Sequence, residues 1–188
     1  AAPVTPRTAD AAVVRWTRAD YLHLAALVAE VADALECAHR SGVIHRDVKP
    51  HNLLLGAEDR LHLTDFGLAR LTDEPHLTVT GEIMGTPVYL SPEQVSGDMR
   101  RIDHRTDIYS LGATLYELIT RHRPFEGLTR AQILASIATV EPVRPRRVDP
   151  QIPRDLETIC LKAMDKDSGR RYPTAAALAA DLRLFALG

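Results

Sequence analysis

From His104 to its end, the chain is a series of apolar patterns at helical spacing, interrupted by proline. The helical stretches are HRTDIYSLGATLYELITRH (His104 to His122), TRAQILASIATV (Thr129 to Val140), RDLETICLKAMDK (Arg154 to Lys166) and TAAALAADLRLFA (Thr174 to Ala186). Pro124, Pro142, Pro145, Pro150, Pro153 and Pro173 fall between them. Proline lacks the backbone N–H and clashes with the preceding turn, so it ends a helix and does not continue it. The second half can therefore fold only as short helices packed on one another.

Upstream, residues 1–16 are rich in Ala, Pro and Thr with little periodicity, and read as a loop or a truncated edge. At Thr17 the pattern changes. T-x-x-D, Thr17 to Asp20, resembles a capping box, and Leu24, Leu27, Val31, Leu35 and Ala38 recur at helical spacing until Gly42 stops them. A long amphipathic helix should then deliver the chain to VIHRDVKPHNLLL, Val43 to Leu55. LLL and LHLT flank GAEDR, which predicts two short strands joined by a turn. Leu68 to Leu90 is Thr-rich and without period, and an unstructured loop of that length in a compact domain is usually functional. The expected fold is mainly α with one small β-hairpin.

Composition excludes several classes. With 188 residues the chain fits one domain or one large lobe, and 45% hydrophobic with 26% charged residues is ordinary globular usage. A formal net charge of -2 gives no electrostatic basis for nucleic-acid binding. Cys37 and Cys160 are too few for a disulfide framework; both sit in helical apolar patterns and are expected to be buried, reduced thiols. No apolar run is long enough to span a bilayer, and AAPVTPRTAD lacks a signal peptide's basic start and apolar stretch. His39, His45 and His51 recur every six residues, which matches neither the i, i+4 nor the Cys/His spacings of zinc sites.

The chemistry concentrates in two places. Asp47, Lys49 and Asn52 lie within six residues, and Asp65 follows in TDFG after the hairpin. Phosphoryl transfer needs a carboxylate to orient or deprotonate the attacking hydroxyl, a cation at the transferring phosphate and oxygen ligands for magnesium. These residues supply each part.

The order of motifs resembles the C-terminal lobe of a eukaryotic-like serine/threonine protein kinase of the bacterial type. The resemblance rests on HRDVKPHN, DFG, GTPVYLSPE (Gly85 to Glu93), DIYSLG (Asp107 to Gly112) and RRYPT (Arg170 to Thr174), in that order. It assigns residues 17–186 to the catalytic domain's C-terminal lobe, a helical subdomain with a small hairpin, and implies ATP and Mg2+ as cofactors and Ser/Thr-bearing proteins as substrates. By resemblance Asp47 is the base or orienting carboxylate, Lys49 contacts the γ-phosphate, Asn52 and Asp65 bind magnesium, and Leu54 forms the floor beneath adenine. Thr86 would pack beside Asp47 and select a hydroxyl-bearing residue. Thr78 and Thr80 occupy the region where the family is often phosphorylated, with Arg46 and Arg70 placed to receive the new charge. His45 is expected in the core near Phe66. Asp107 would cap the helix it begins, accept hydrogen bonds from the catalytic-loop backbone, or do both. Glu93 and Arg171 look like a buried ion pair, with Arg170 the adjacent candidate.

No glycine of this chain forms a G-x-G-x-x-G hairpin, and no V-A-I-K-like strand precedes the catalytic loop. The expectation is half of a kinase active site, whose partner is an N-terminal β lobe absent from this sequence. A catalytically inert kinase-like binding module and a small-molecule phosphotransferase are the alternatives. The expected location is cytoplasmic, whether free or as the cytoplasmic part of a larger membrane-anchored kinase.

Overall fold

The computed structural model describes residues 15–66, 70–71, 87–127 and 129–188, with backbone alone at Arg70, Leu71 and Met99. Its first element, α1 (Arg18–Arg40), begins at a complete capping box. The Thr17 amide donates to Asp20 Oδ2 at 2.7 Å, and the Asp20 amide donates back to Thr17 Oγ1 at 3.3 Å. The Thr17 amide and, at 2.8 Å, the Thr17 hydroxyl both donate to the Asp20 carboxylate and hold it below its ordinary range. Tyr21, Leu24, Ala25, Val28, Ala29, Val31, Ala32 and Leu35 form the buried face, and Gly42, at φ 76°, takes the left-handed turn that ends the segment.

Strands are few and short. β1 (Val43–Ile44) pairs antiparallel with β4 (Arg70–Leu71), and β2 (Leu53–Leu55) pairs with β3 (Leu61–Leu63). In the hairpin, Leu53 faces Leu63 and both pack on the core, whereas Leu54 faces His62 on the open side. The β1/β4 pair was not expected. A two-residue strand carries no readable alternation, and its partners in the register, Leu71 for Val43 and Arg70 for Ile44, lie far along the chain.

The helical half comprises α2 (Pro92–Ser96), α3 (Arg105–Thr120), α4 (Arg130–Thr139), α5 (Pro145–Val148), α6 (Arg154–Ala163) and α7 (Ala175–Leu187). The four long patterns of the sequence are present with ends shifted by a few residues. The short α2 and α5 are additions, each opened by a proline at its first turn.

The buried α3 organises the rest. Ser110, Thr114 and Thr120 hide their hydroxyls by donating to the carbonyls of Thr106, Ser110 and Tyr116, four residues back. Gly112 permits close contact with α6, since a Cβ there would lie 2.8 Å from Ala163 Cβ. On the other flank α1 packs along α7, and Ala25, Ala29 and Ala32 of the first and Ala175 and Ala179 of the second are all buried. Glu36 of α1 accepts from the Ala176 amide at 3.1 Å, capping α7 from a neighbouring helix. Fully burying each large aliphatic side chain in this core contributes about 1.5–3 kcal/mol.

The cysteines divide. Cys160 is buried, but Cys37 lies on the outward face of α1 and is exposed, which corrects the expectation of two buried thiols. An Ala-rich helix has no sharp apolar stripe, so spacing alone does not orient it.

Candidate active site

The loop that leads to Asp47 is held above the N-terminal end of α3 by one carboxylate. Asp107 is fully buried; its Oδ2 accepts the His45 amide at 2.9 Å and its Oδ1 the Arg46 amide at 2.7 Å. Of the two roles considered for Asp107, only the grip on the loop is present. The helix starts earlier, at Arg105, whose amide bonds Asp103 Oδ1 at 2.8 Å. His39, which the sequence offered only as part of a spacing unlike zinc sites, brings its Nε2 within 2.7 Å of Asp107 Oδ2.

His45 sets the next tie. The Asp47 amide donates to His45 Nδ1 at 3.3 Å, so that nitrogen carries no proton; Nε2 then donates to Thr64 O at 3.1 Å. The imidazole thus joins the loop before Asp47 to the strand end before Asp65. Its ring is fully buried, with its centroid 4.5 Å from that of Phe66.

Asp47, Lys49 and Asn52 form one cluster. Lys49 Nζ lies 2.5 Å from Asp47 Oδ2, and Asn52 Nδ2 donates to Asp47 O at 2.8 Å and to Oδ2 at 3.1 Å. Asp47 and Lys49 keep about a fifth of their side-chain surface open, 22% and 23%, so the cluster is reachable by a substrate. Asn52 O in turn receives the Thr64 amide at 2.9 Å and its hydroxyl at 3.2 Å. Asp65 follows Thr64 directly, exposed and left-handed at φ 64°, a conformation that only a well-determined surrounding sustains in a non-glycine residue. Leu54 stands exposed on the open face of the hairpin.

The donor set suits a hard cation. Asn52 uses Nδ2 on Asp47, leaving Oδ1 as the amide's acceptor, and Asp65 offers a carboxylate from the neighbouring segment. Oxygen ligands of this kind, completed by water and phosphate, are what magnesium takes.

Glu93 and Arg171 meet in a bidentate pair, Nη1 to Oε1 at 2.7 Å and Nη2 to Oε2 at 2.9 Å, both side chains buried. Burial alone would push the Glu93 carboxyl up, but Arg171, with Thr106 donating at 2.8 Å, outweighs it and holds the group below its ordinary value. Arg171 also donates to the carbonyls of Asp165 and Arg105 and lies over the Tyr109 ring at 4.9 Å. Arg170 is exposed and faces Asp167 instead. On α2, beside Glu93, Gln94 reaches the catalytic loop and donates to Arg46 O at 3.0 Å. Thr78, Thr80, Thr86 and the side chain of Arg70 lie outside the described residues.

Residues 12–182 match the protein kinase domain family. The chain is 42% identical over 153 residues to a probable serine/threonine-protein kinase of Clostridium perfringens, a match covering 81% of this chain and 22% of that protein. It is 41% identical to the serine/threonine-protein kinase PknB of Mycobacterium leprae, covering 83% and 25%, and 43% identical to PkaA of Streptomyces coelicolor, covering 87% and 30%. The matches thus span roughly a quarter of the length of these relatives. With the mainly helical fold and the motifs in order, the chain belongs to the protein kinase domain family, among the eukaryotic-like serine/threonine kinases of bacteria.

Proposed function

We propose that this chain is the C-terminal lobe, residues 17–186, of a protein serine/threonine kinase that transfers the γ-phosphate of ATP to Ser or Thr of other proteins. The observation that carries the reading is the Asp47, Lys49 and Asn52 cluster, held by hydrogen bonds and open to a substrate on one side. Asp47 is suited to orient the substrate hydroxyl and accept its proton. Lys49, already paired with Asp47, would turn its ammonium to the transferring phosphate as it arrives. Asn52 and Asp65 would hold magnesium, whose charge offsets that of the phosphates. Leu54, exposed beside His62, offers adenine an apolar floor.

Catalysis in phosphoryl transfer is positioning plus electrostatics, and the triphosphate needs a cover that these residues do not include. We therefore assign an N-terminal kinase lobe as the chain's first partner. Arg46 and Arg70 are the residues to which phosphorylated Thr78 or Thr80 would bind, and Thr86 is the residue proposed to select the hydroxyl. The cytoplasm, where ATP is plentiful, is the proposed location; among the described residues no helix is long and apolar enough to cross a membrane.

The test joins this chain to the N-terminal lobe of a bacterial relative and follows radiolabelled γ-phosphate into protein. Transfer to Ser or Thr is expected, reduced at least ~10²-fold in Asp47→Ala, the scale of acid/base and orienting effects. Phosphosite mapping should find Thr78 or Thr80 in the active form. A rate untouched by Asp47→Ala would overturn the assignment.

A further inference from the structure

The two successive peptide units that meet at Arg46 and lead into Asp47 are each held by a side chain from a neighbouring helix. Arg46 sits at φ 67°, left-handed for a residue with a side chain. Asp107 of α3 receives its amide, and Gln94 of α2 donates to its carbonyl at 3.0 Å. The carbonyl of Arg46 belongs to the same peptide unit as the amide of Asp47, so whatever fixes that oxygen fixes the plane from which the Asp47 side chain departs.

The orientation of the Gln94 amide follows from its partners. Its Oε1 accepts the Ser91 amide at 2.9 Å and the Ser91 hydroxyl at 3.2 Å, closing the capping box of α2. A backbone amide only donates and a backbone carbonyl only accepts, so Nε2 must face Arg46. The two ends of one side chain therefore do separate work. Oε1 starts a helix, and Nε2 leaves it for the catalytic loop.

α2 is itself anchored, because Glu93, the residue before Gln94, is held by Arg171. A continuous path runs from Arg171 through Glu93 and the α2 backbone to Gln94 Nε2, Arg46 O and Asp47. We infer that Gln94 is a positioning residue for phosphoryl transfer: it makes the orientation of Asp47 depend on the seating of α2, and so on the segment 87–91 that leads into it. This rests on the kinase reading above. Misplacing a reacting group by about 1 Å can lower a rate about 10²-fold, so one lost hydrogen bond at this peptide is enough to be measured.

Two variants separate the roles in the full-length protein. Gln94→Glu keeps an acceptor for the capping box, where Glu is a favoured residue, but when ionised has no proton to donate to Arg46 O. Gln94→Ala removes both. The expected result for Gln94→Glu is parental thermal stability, kcat lowered about tenfold or more, and KM for ATP within about twofold. Amide exchange by mass spectrometry across residues 45–47 should be faster in Gln94→Glu than in the parent. Gln94→Ala should lose stability as well.

Parental turnover in Gln94→Glu would make Gln94 a helix cap and nothing more, and overturn the inference; so would parental exchange at 45–47. If the parent transfers no phosphate at all, the kinase reading fails, and the exchange arm still judges the coupling of α2 to the Asp47 peptide.

Discussion

His39 and Asp107, 68 residues apart, meet at 2.7 Å through a carboxylate oxygen that also takes the His45 amide. Asp107 therefore serves one helix and two loop amides, whereas His39 makes a single bond to it. Removing Asp107 leaves buried donors without partners, at about 1–3 kcal/mol each. Asp107→Ala should thus lower stability by about 2–6 kcal/mol, at least twice the loss in His39→Ala. Urea unfolding of the two variants checks this; equal losses would mean that the loop amides find other acceptors.

The Glu93 and Arg171 pair has a pH signature. Its carboxyl is held low, so the unfolded chain binds more protons than the folded one as pH falls through the ordinary carboxyl range. The stabilisation is present above that range and lost on acidification. Arg171→Met strands a buried carboxylate and should cost about 3–5 kcal/mol at neutral pH. With Arg171 gone, burial dominates and raises the Glu93 carboxyl, so part of the loss should return toward pH 4. Denaturant midpoints at pH 7 and pH 4 distinguish parent from variant.

Lys166 runs in the opposite sense. Burial pushes its amine down to about 8; Glu141 and Asp165 oppose that and Arg171 adds to it. The ammonium donates to Ile137 O at 2.7 Å near the end of α4 and lies 4.2 Å from the Phe125 ring centre. Between about 8 and its ordinary 10.5 the unfolded chain holds the extra proton, so Lys166 makes stability rise with pH in that window. Solvent screening of its open part limits the gain to about 1–2 kcal/mol. The Cys160 thiol, pushed up by burial, works against it above its ordinary value of 9.0, so the readout is the difference between parent and Lys166→Met at pH 7.5 and pH 9.5. That difference should shift in favour of the parent as pH rises.

What the chain determined by itself is local. Thr17 and Asp20 are three residues apart and cap their helix wherever it packs; Gly42 turns left-handed because it alone there lacks a Cβ. The spacing of Asp47, Lys49 and Asn52 places them in one loop, and prolines between apolar repeats set the helical half. Such signals act over a few bonds and need no partner from afar.

The tertiary structure decided everything that depended on which surface meets which. It chose Arg171 over the adjacent Arg170, because only one of two neighbouring side chains can enter the space beneath Tyr109 and reach Glu93, 78 residues away. It turned Cys37 outward and Cys160 inward on helices of similar pattern. It brought Gln94 and Asp107 to one loop from two helices, and His39 from a third to Asp107. None of these has a sequence period, since burial and buried hydrogen bonds are satisfied by whichever group the packed chain delivers, and packing is a property of the whole fold.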